Sequence, residues 1–135
     1  MSTTATIKYH GGLRTEPAHT RSGNTFITDA PVDNNGKGEA FSPTDLLATS
    51  LGACMITVMG IEANKRGFDL EDTSVEVVKT MSALPRRISK IEIVVSLKAN
   101  CDADTQKDLE KIGRNCPVAL SLSSDLVQDI TFHWT

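Results

Sequence analysis

Two cysteines hold the chemistry this sequence can offer: Cys54, inside the apolar segment Leu46–Ile61, and Cys116, directly before Pro117 at a predicted helix start. Two thiols this far apart point to redox chemistry rather than to a zinc knuckle. A thiolate is favoured near a helix N-terminus, where unpaired backbone N–H groups point. Arg114 stands two residues before Cys116, so a lowered pKa is expected there. The competing reading is a small sulfur residue that fills the bend before Pro117. Cys54 lies in mid-helix among apolar side chains, where desolvation raises a thiol pKa, so a reactive Cys54 needs a cation or donor from elsewhere. Arg14 and Arg21, on the opening strands, are the candidates, and both also read as ordinary solvated side chains. Cys101, in the turn Asn100-Cys101-Asp102-Ala103, has no activating neighbour in the sequence. His10, His19 and His133 are scattered without ligand spacing, so no metal site is expected.

The elements that must position these residues follow from periodicity and punctuation. Ala5, Ile7 and Tyr9 alternate with Thr6, Lys8 and His10, a half-buried strand closed by the turn Gly11-Gly12. Leu13–Thr20 and Thr25–Ala30 read as two further strands around Arg21-Ser22-Gly23-Asn24, giving three antiparallel strands. The glycine-rich run Pro31–Glu39 reads as an exposed connection. Ser42 caps a long helix, Pro43 suits its first position, and Asp45 closes a capping box; Lys65-Arg66-Gly67 suits its end. On this helix Leu47, Leu51, Cys54, Val58 and Ile61 share one face. Met55, Ile56 and Met59 make much of the remainder apolar, so it must be covered on more than one side. Ser74–Thr80 and Ile88–Ala99 read as antiparallel strands, 104–114 and 118–122 as helical stretches, and Ile130, Phe132 and Trp134 as the inward face of a last strand. The order implies an α+β fold with antiparallel sheet.

At 135 residues the chain suits one domain, residues 1–135. A net charge of −3 without any Lys/Arg block argues against nucleic acid or an anionic membrane as partner. The uncharged part of Leu46–Ile61 falls short of the ~20 apolar residues of a membrane span. Neither the opening residues nor the odd cysteine count suits a secreted, disulfide-stapled scaffold, so a reducing cytoplasm is the expected location.

The segment Phe41-Ser-Pro-Thr-Asp-Leu-Leu-Ala-Thr-Ser-Leu-Gly-Ala-Cys54-Met55, together with Asn115-Cys116-Pro117-Val118 and Gly36-Lys-Gly-Glu-Ala, resembles the OsmC/Ohr family of thiol-dependent hydroperoxide reductases, in its OsmC-like branch. The resemblance implies an intertwined α+β homodimer, with antiparallel sheets wrapped around two long central helices. It also implies that Cys54 is the peroxidatic and Cys116 the resolving cysteine, working without metal, flavin or haem. An external dithiol, lipoyl-type in the Ohr branch, would reduce the resulting disulfide. Ohr-type members carry a glutamate immediately after the helix-start proline, paired with an activating arginine. Here that position is Thr44, and Asp45 lies one place on, turned by ~100° around the helix. Arg14 is the first choice for the activating cation and Arg21 the second.

The expected function is therefore reduction of organic hydroperoxides, with hydrogen peroxide a further substrate, in oxidative or osmotic stress defence. An apolar pocket of Leu47, Leu51, Met55 and Leu120 would favour substrates with an apolar tail. The rival from a different class is a non-catalytic dimer that binds a small apolar or thiol ligand. Thr44 speaks for that rival, and retention of both cysteines speaks against it.

Overall fold

A computed structural model describes residues 2–98 and 100–135. The predicted strand end at Ala99 lies outside the described residues. The chain forms two compact units that divide between Leu46 and Leu47.

In the first unit, strand β1 (Ala5–Gly11) pairs antiparallel with β2 (Arg14–His19), and β2 with the two-residue β3 (Thr28–Asp29). The β1–β2 turn needs left-handed backbone at three successive residues, with φ of 76° at Gly11, 62° at Gly12 and 63° at Leu13. Two glycines supply this without a Cβ penalty, and the Leu13 N–H is held by the Tyr9 hydroxyl at 3.2 Å. The third strand is shorter than the predicted Thr25–Ala30, with only a bridge from Ala18 to Thr25 extending it. Side chains of β1 are exposed on both faces within this chain, Ile7 and Tyr9 included, so the predicted half-burial is not met by the chain alone.

Helix α1 (Pro43–Lys65) begins as its residues dictate. Ser42 Oγ accepts from the Asp45 N–H at 3.1 Å, and Asp45 returns the bond by accepting from the Ser42 N–H at 3.0 Å, a reciprocal capping box. The hydroxyls of Ser50 and Thr57 donate to the carbonyls of Leu47 and Ala53, both at 2.7 Å, which satisfies polar groups inside an apolar helix.

In the second unit, β4 (Ser74–Ala83) pairs antiparallel with β5 (Arg86–Leu97), and β6 (Val127–Trp134) lies on the other side of β5. The β5–β6 pair is parallel, so this sheet is mixed rather than wholly antiparallel. The reason is the connection: α2 (Ala103–Arg114) and α3 (Pro117–Ser121) intervene, and a crossover of this length returns the chain in the same direction. Asp102 caps α2 by accepting from the Thr105 N–H at 2.8 Å.

The core of this unit joins Leu51, Met55 and Met59 of α1 to Ile91, Ile93 and Val95 of β5 and to Leu109 of α2, all without exposed surface. The buried residues of α1 are Ala48, Leu51, Gly52, Met55, Met59 and Ala63; of the predicted face, Leu51 is among them and Cys54 and Val58 pack against the core. Leu47 and Ile61 are exposed. A helix apolar nearly all round has no periodicity that selects a face; here Gly52 helps to select it, since a Cβ there would meet Val75 and Val77 at 3.0 and 3.3 Å.

Candidate functional site

The second unit brings the two predicted cysteines together. Cys54 is half-buried in mid-α1 and packs against the core that contains Cys116, near enough for its thiol to act on that of Cys116. Cys116 is 1% exposed and is the N-cap of α3, where its sulfur accepts from the Ala119 N–H at 3.5 Å. Pro117 at the first helical position and the extended backbone of Cys116 are what place the sulfur there.

The expected lowering of the Cys116 pKa is not found. Burial pushes the thiol up; the Ala119 N–H opposes this, and the adjacent Cys54 thiol adds to it. Arg114 does not face the sulfur as its sequence position suggests. Its guanidinium donates to the Ile130 carbonyl at 3.2 Å and lies 5.2 Å from the centroid of the Phe132 ring.

The residues proposed for activation lie in the first unit. Arg14 forks onto Asp29, with Nε to Oδ1 at 2.7 Å and Nη2 to Oδ2 at 2.8 Å, and Glu39 stands 3.9 Å away. Asp29 is almost wholly buried. The hydrogen-bonded Arg14 guanidinium holds its carboxyl below the usual carboxylate range, and Asp29 in turn raises Arg14. Asp29 was not singled out in the sequence; its only signal there is an acidic residue on a strand paired with an arginine strand. Asp45 is held in the capping box, and the Thr44 hydroxyl lies 3.2 Å from Ser42 Oγ.

The four residues expected to line an apolar pocket are split by burial. Leu51 and Met55 have no exposed surface, whereas Leu47 and Leu120 are exposed, so a molecule reaching this chain meets only the latter two. An apolar groove of about 240 Å³ does run between α1 and β4, lined by Thr49, Gly52, Ala53, Ile56, Val75 and Val77.

The remaining candidates are committed locally. His10 pairs with Glu16 at 2.8 Å, and His19 with Ser22 at 2.7 Å. Cys101 is half-buried, its thiol pushed up by burial and then by Asp102. Among the described residues, no three His, Cys, Asp or Glu side chains gather as a metal site.

A family model described as OsmC-like protein matches residues 36–130. Among solved structures, the chain is similar to a Psychrobacter arcticus protein provisionally described as an osmotic stress induced and detoxification response protein. The identity is 48%, over 98% of this chain and 97% of that one, with a TM-score of 0.94. Two more distant likenesses speak to the fold alone. One is to an organic hydroperoxide resistance protein OsmC of Legionella pneumophila, at 21% identity over 100% of this chain and 98% of that one, TM-score 0.65. The other is to the organic hydroperoxide resistance protein OhrB of Bacillus subtilis, at 15% identity over 98% of each chain, TM-score 0.63. No curated protein matches the chain significantly. The family model spans both cysteine segments, the α1 start and most of the second unit, and on that match the chain belongs to the OsmC-like protein family.

Proposed function

We propose that this protein is a cytoplasmic, homodimeric, thiol-dependent peroxidase that reduces organic hydroperoxides. One observation carries the reading: a half-buried thiol, Cys54, lies close enough to a buried one, Cys116, to raise its pKa. Cys54 thiolate attacks the outer peroxide oxygen, the O–O bond breaks, and the alkoxide leaves as alcohol after taking a proton. The sulfenic acid so formed condenses with Cys116, releasing water and forming a disulfide. An external dithiol, lipoyl-type by analogy with the Ohr branch, returns two electrons and two protons. Arg14 is the cation proposed to favour the Cys54 thiolate. Within the first unit, Asp29 holds its guanidinium by two hydrogen bonds.

The direct test is intact mass and free-thiol count of the reduced protein after one equivalent of cumene hydroperoxide, beside Cys54→Ser and Cys116→Ser. Wild type should lose two of its three thiols, Cys116→Ser should hold a trappable sulfenic acid, and Cys54→Ser should not react rapidly. Three untouched wild-type thiols would sink the peroxidase reading. The second reading, a non-catalytic dimer that binds a small apolar ligand, draws on the groove beside Gly52 and Ile56, and it would then take precedence.

A further inference from the structure

The short segment that carries Cys116 is fastened to β6 on both sides of the cysteine. Two residues before it, Arg114 donates to the Ile130 carbonyl at 3.2 Å and covers the Phe132 ring. Three residues after it, the Ala119 carbonyl accepts from Gln128 Nε2 at 3.1 Å. All three strand residues lie on β6, whose backbone is in register with β5 from Lys90 to Leu97. Between the anchors the chain has little freedom: the Cys116 N–H donates to Gly113 O at 3.2 Å and the Leu120 N–H to Cys116 O at 3.0 Å. Gly113 is itself closely packed, since a Cβ there would come within 2.7 Å of Met59 Sδ, on the same helix as Cys54.

From this we infer that Arg114 and Gln128 are positioning residues for disulfide closure: they clamp the end of α2 and α3, on either side of Cys116, to the sheet so that the Cys116 sulfur is held near Cys54. The inference rests on the peroxidase reading and concerns its second step only. After Cys54 becomes a sulfenic acid, two reactions compete. Attack by the Cys116 sulfur expels water and forms the S–S bond. Attack by the sulfenic sulfur on a second hydroperoxide takes up another oxygen, gives a sulfinic acid and releases an alcohol. Closure wins when the two sulfurs are already placed, because a misplacement of about 1 Å can cost up to ~100-fold in rate. A second copy of the peroxide must instead arrive by diffusion.

The experiment is a rapid-mixing time course with cumene hydroperoxide on the full chain, comparing wild type, Arg114→Met, Gln128→Leu and Arg114→Lys, with thermal unfolding of each alongside. Oxidation of Cys54 should proceed at the wild-type rate in every variant. Disulfide closure should slow about tenfold in Arg114→Met and in Gln128→Leu, and excess peroxide should then add two oxygen atoms to their intact mass, the sulfinic acid. Arg114→Lys, which keeps a cationic donor, should restore part of the closure rate. Should Arg114→Met not fold, Gln128→Leu decides alone. Closure at the wild-type rate in the folded variants overturns the inference while leaving the peroxidase reading intact. A wild type that loses no thiol overturns both.

Discussion

On the Cys116 sulfur two influences oppose each other: removal from water raises the pKa, while the N–H groups of Ala119 and Val118 lower it, and burial prevails. The consequence for stability has a definite sign. A thiol raised in the folded state stays protonated there while the unfolded chain ionises, so its contribution is fully present below the ordinary thiol value of 9.0 and is lost as pH rises through the folded value. Cys101 is raised too and acts in the same direction. The urea midpoint of the reduced protein is therefore expected to fall above pH 9.0, and Cys116→Ala should flatten part of that fall. An equal slope in the variant would contradict the assignment. Asp29 acts at the other end, where Arg14 lowers its carboxyl; its contribution is present above the ordinary carboxylate range and lost as pH falls through the depressed value. At this scale the sequence singled out the two thiols, but it misjudged the direction of Arg114. Two residues of separation say nothing about direction, and that guanidinium turns to β6.

Elements bounded by local chemistry were the legible ones. Ser42, Pro43 and Asp45 declared the start of α1, and each acts as its side chain suggests. Ser42→Ala removes an oxygen that accepts from the Asp45 N–H and leaves the Thr44 hydroxyl short of a neighbour 3.2 Å away. The expected loss is about 1 kcal/mol. Urea unfolding with an unchanged m-value would show it, and a loss below a few tenths would mean that the box contributes little. The face of α1 and the direction of β6 were not legible. The first requires knowing what covers a helix that is apolar all round, and the second is invisible to alternation, which reads the same in parallel and antiparallel pairs. The predicted pocket failed for the first reason: Leu51 and Met55 belong to the face that packs on the sheet.

Across the whole molecule, large apolar side chains remain exposed in both units: Ile7 and Tyr9 in the first, Leu47, Ile61 and Leu120 in the second. By length and composition α1 is apolar enough to cross a membrane, yet only 33% of its most apolar window is buried within the chain. The homodimer proposed above would cover such surface. Light scattering should then give twice the 14.6 kDa chain mass, and the unfolding midpoint should rise with protein concentration. A 14.6 kDa species at every concentration would remove the dimer from the proposal. The parallel placement of β6 has a further consequence, in the order of assembly. Strands β4 and β5 meet through a short hairpin, but β6 pairs with β5 only after the intervening helices have closed a long loop, a slower event by chain entropy. The residues that fasten Cys116 are on that late strand, and so is Trp134, the only tryptophan, its indole N–H held by Glu110 at 2.9 Å. The newly made chain should thus keep its two thiols apart until the sheet is complete, and the fluorescence of one native tryptophan reports the moment at which they become a pair.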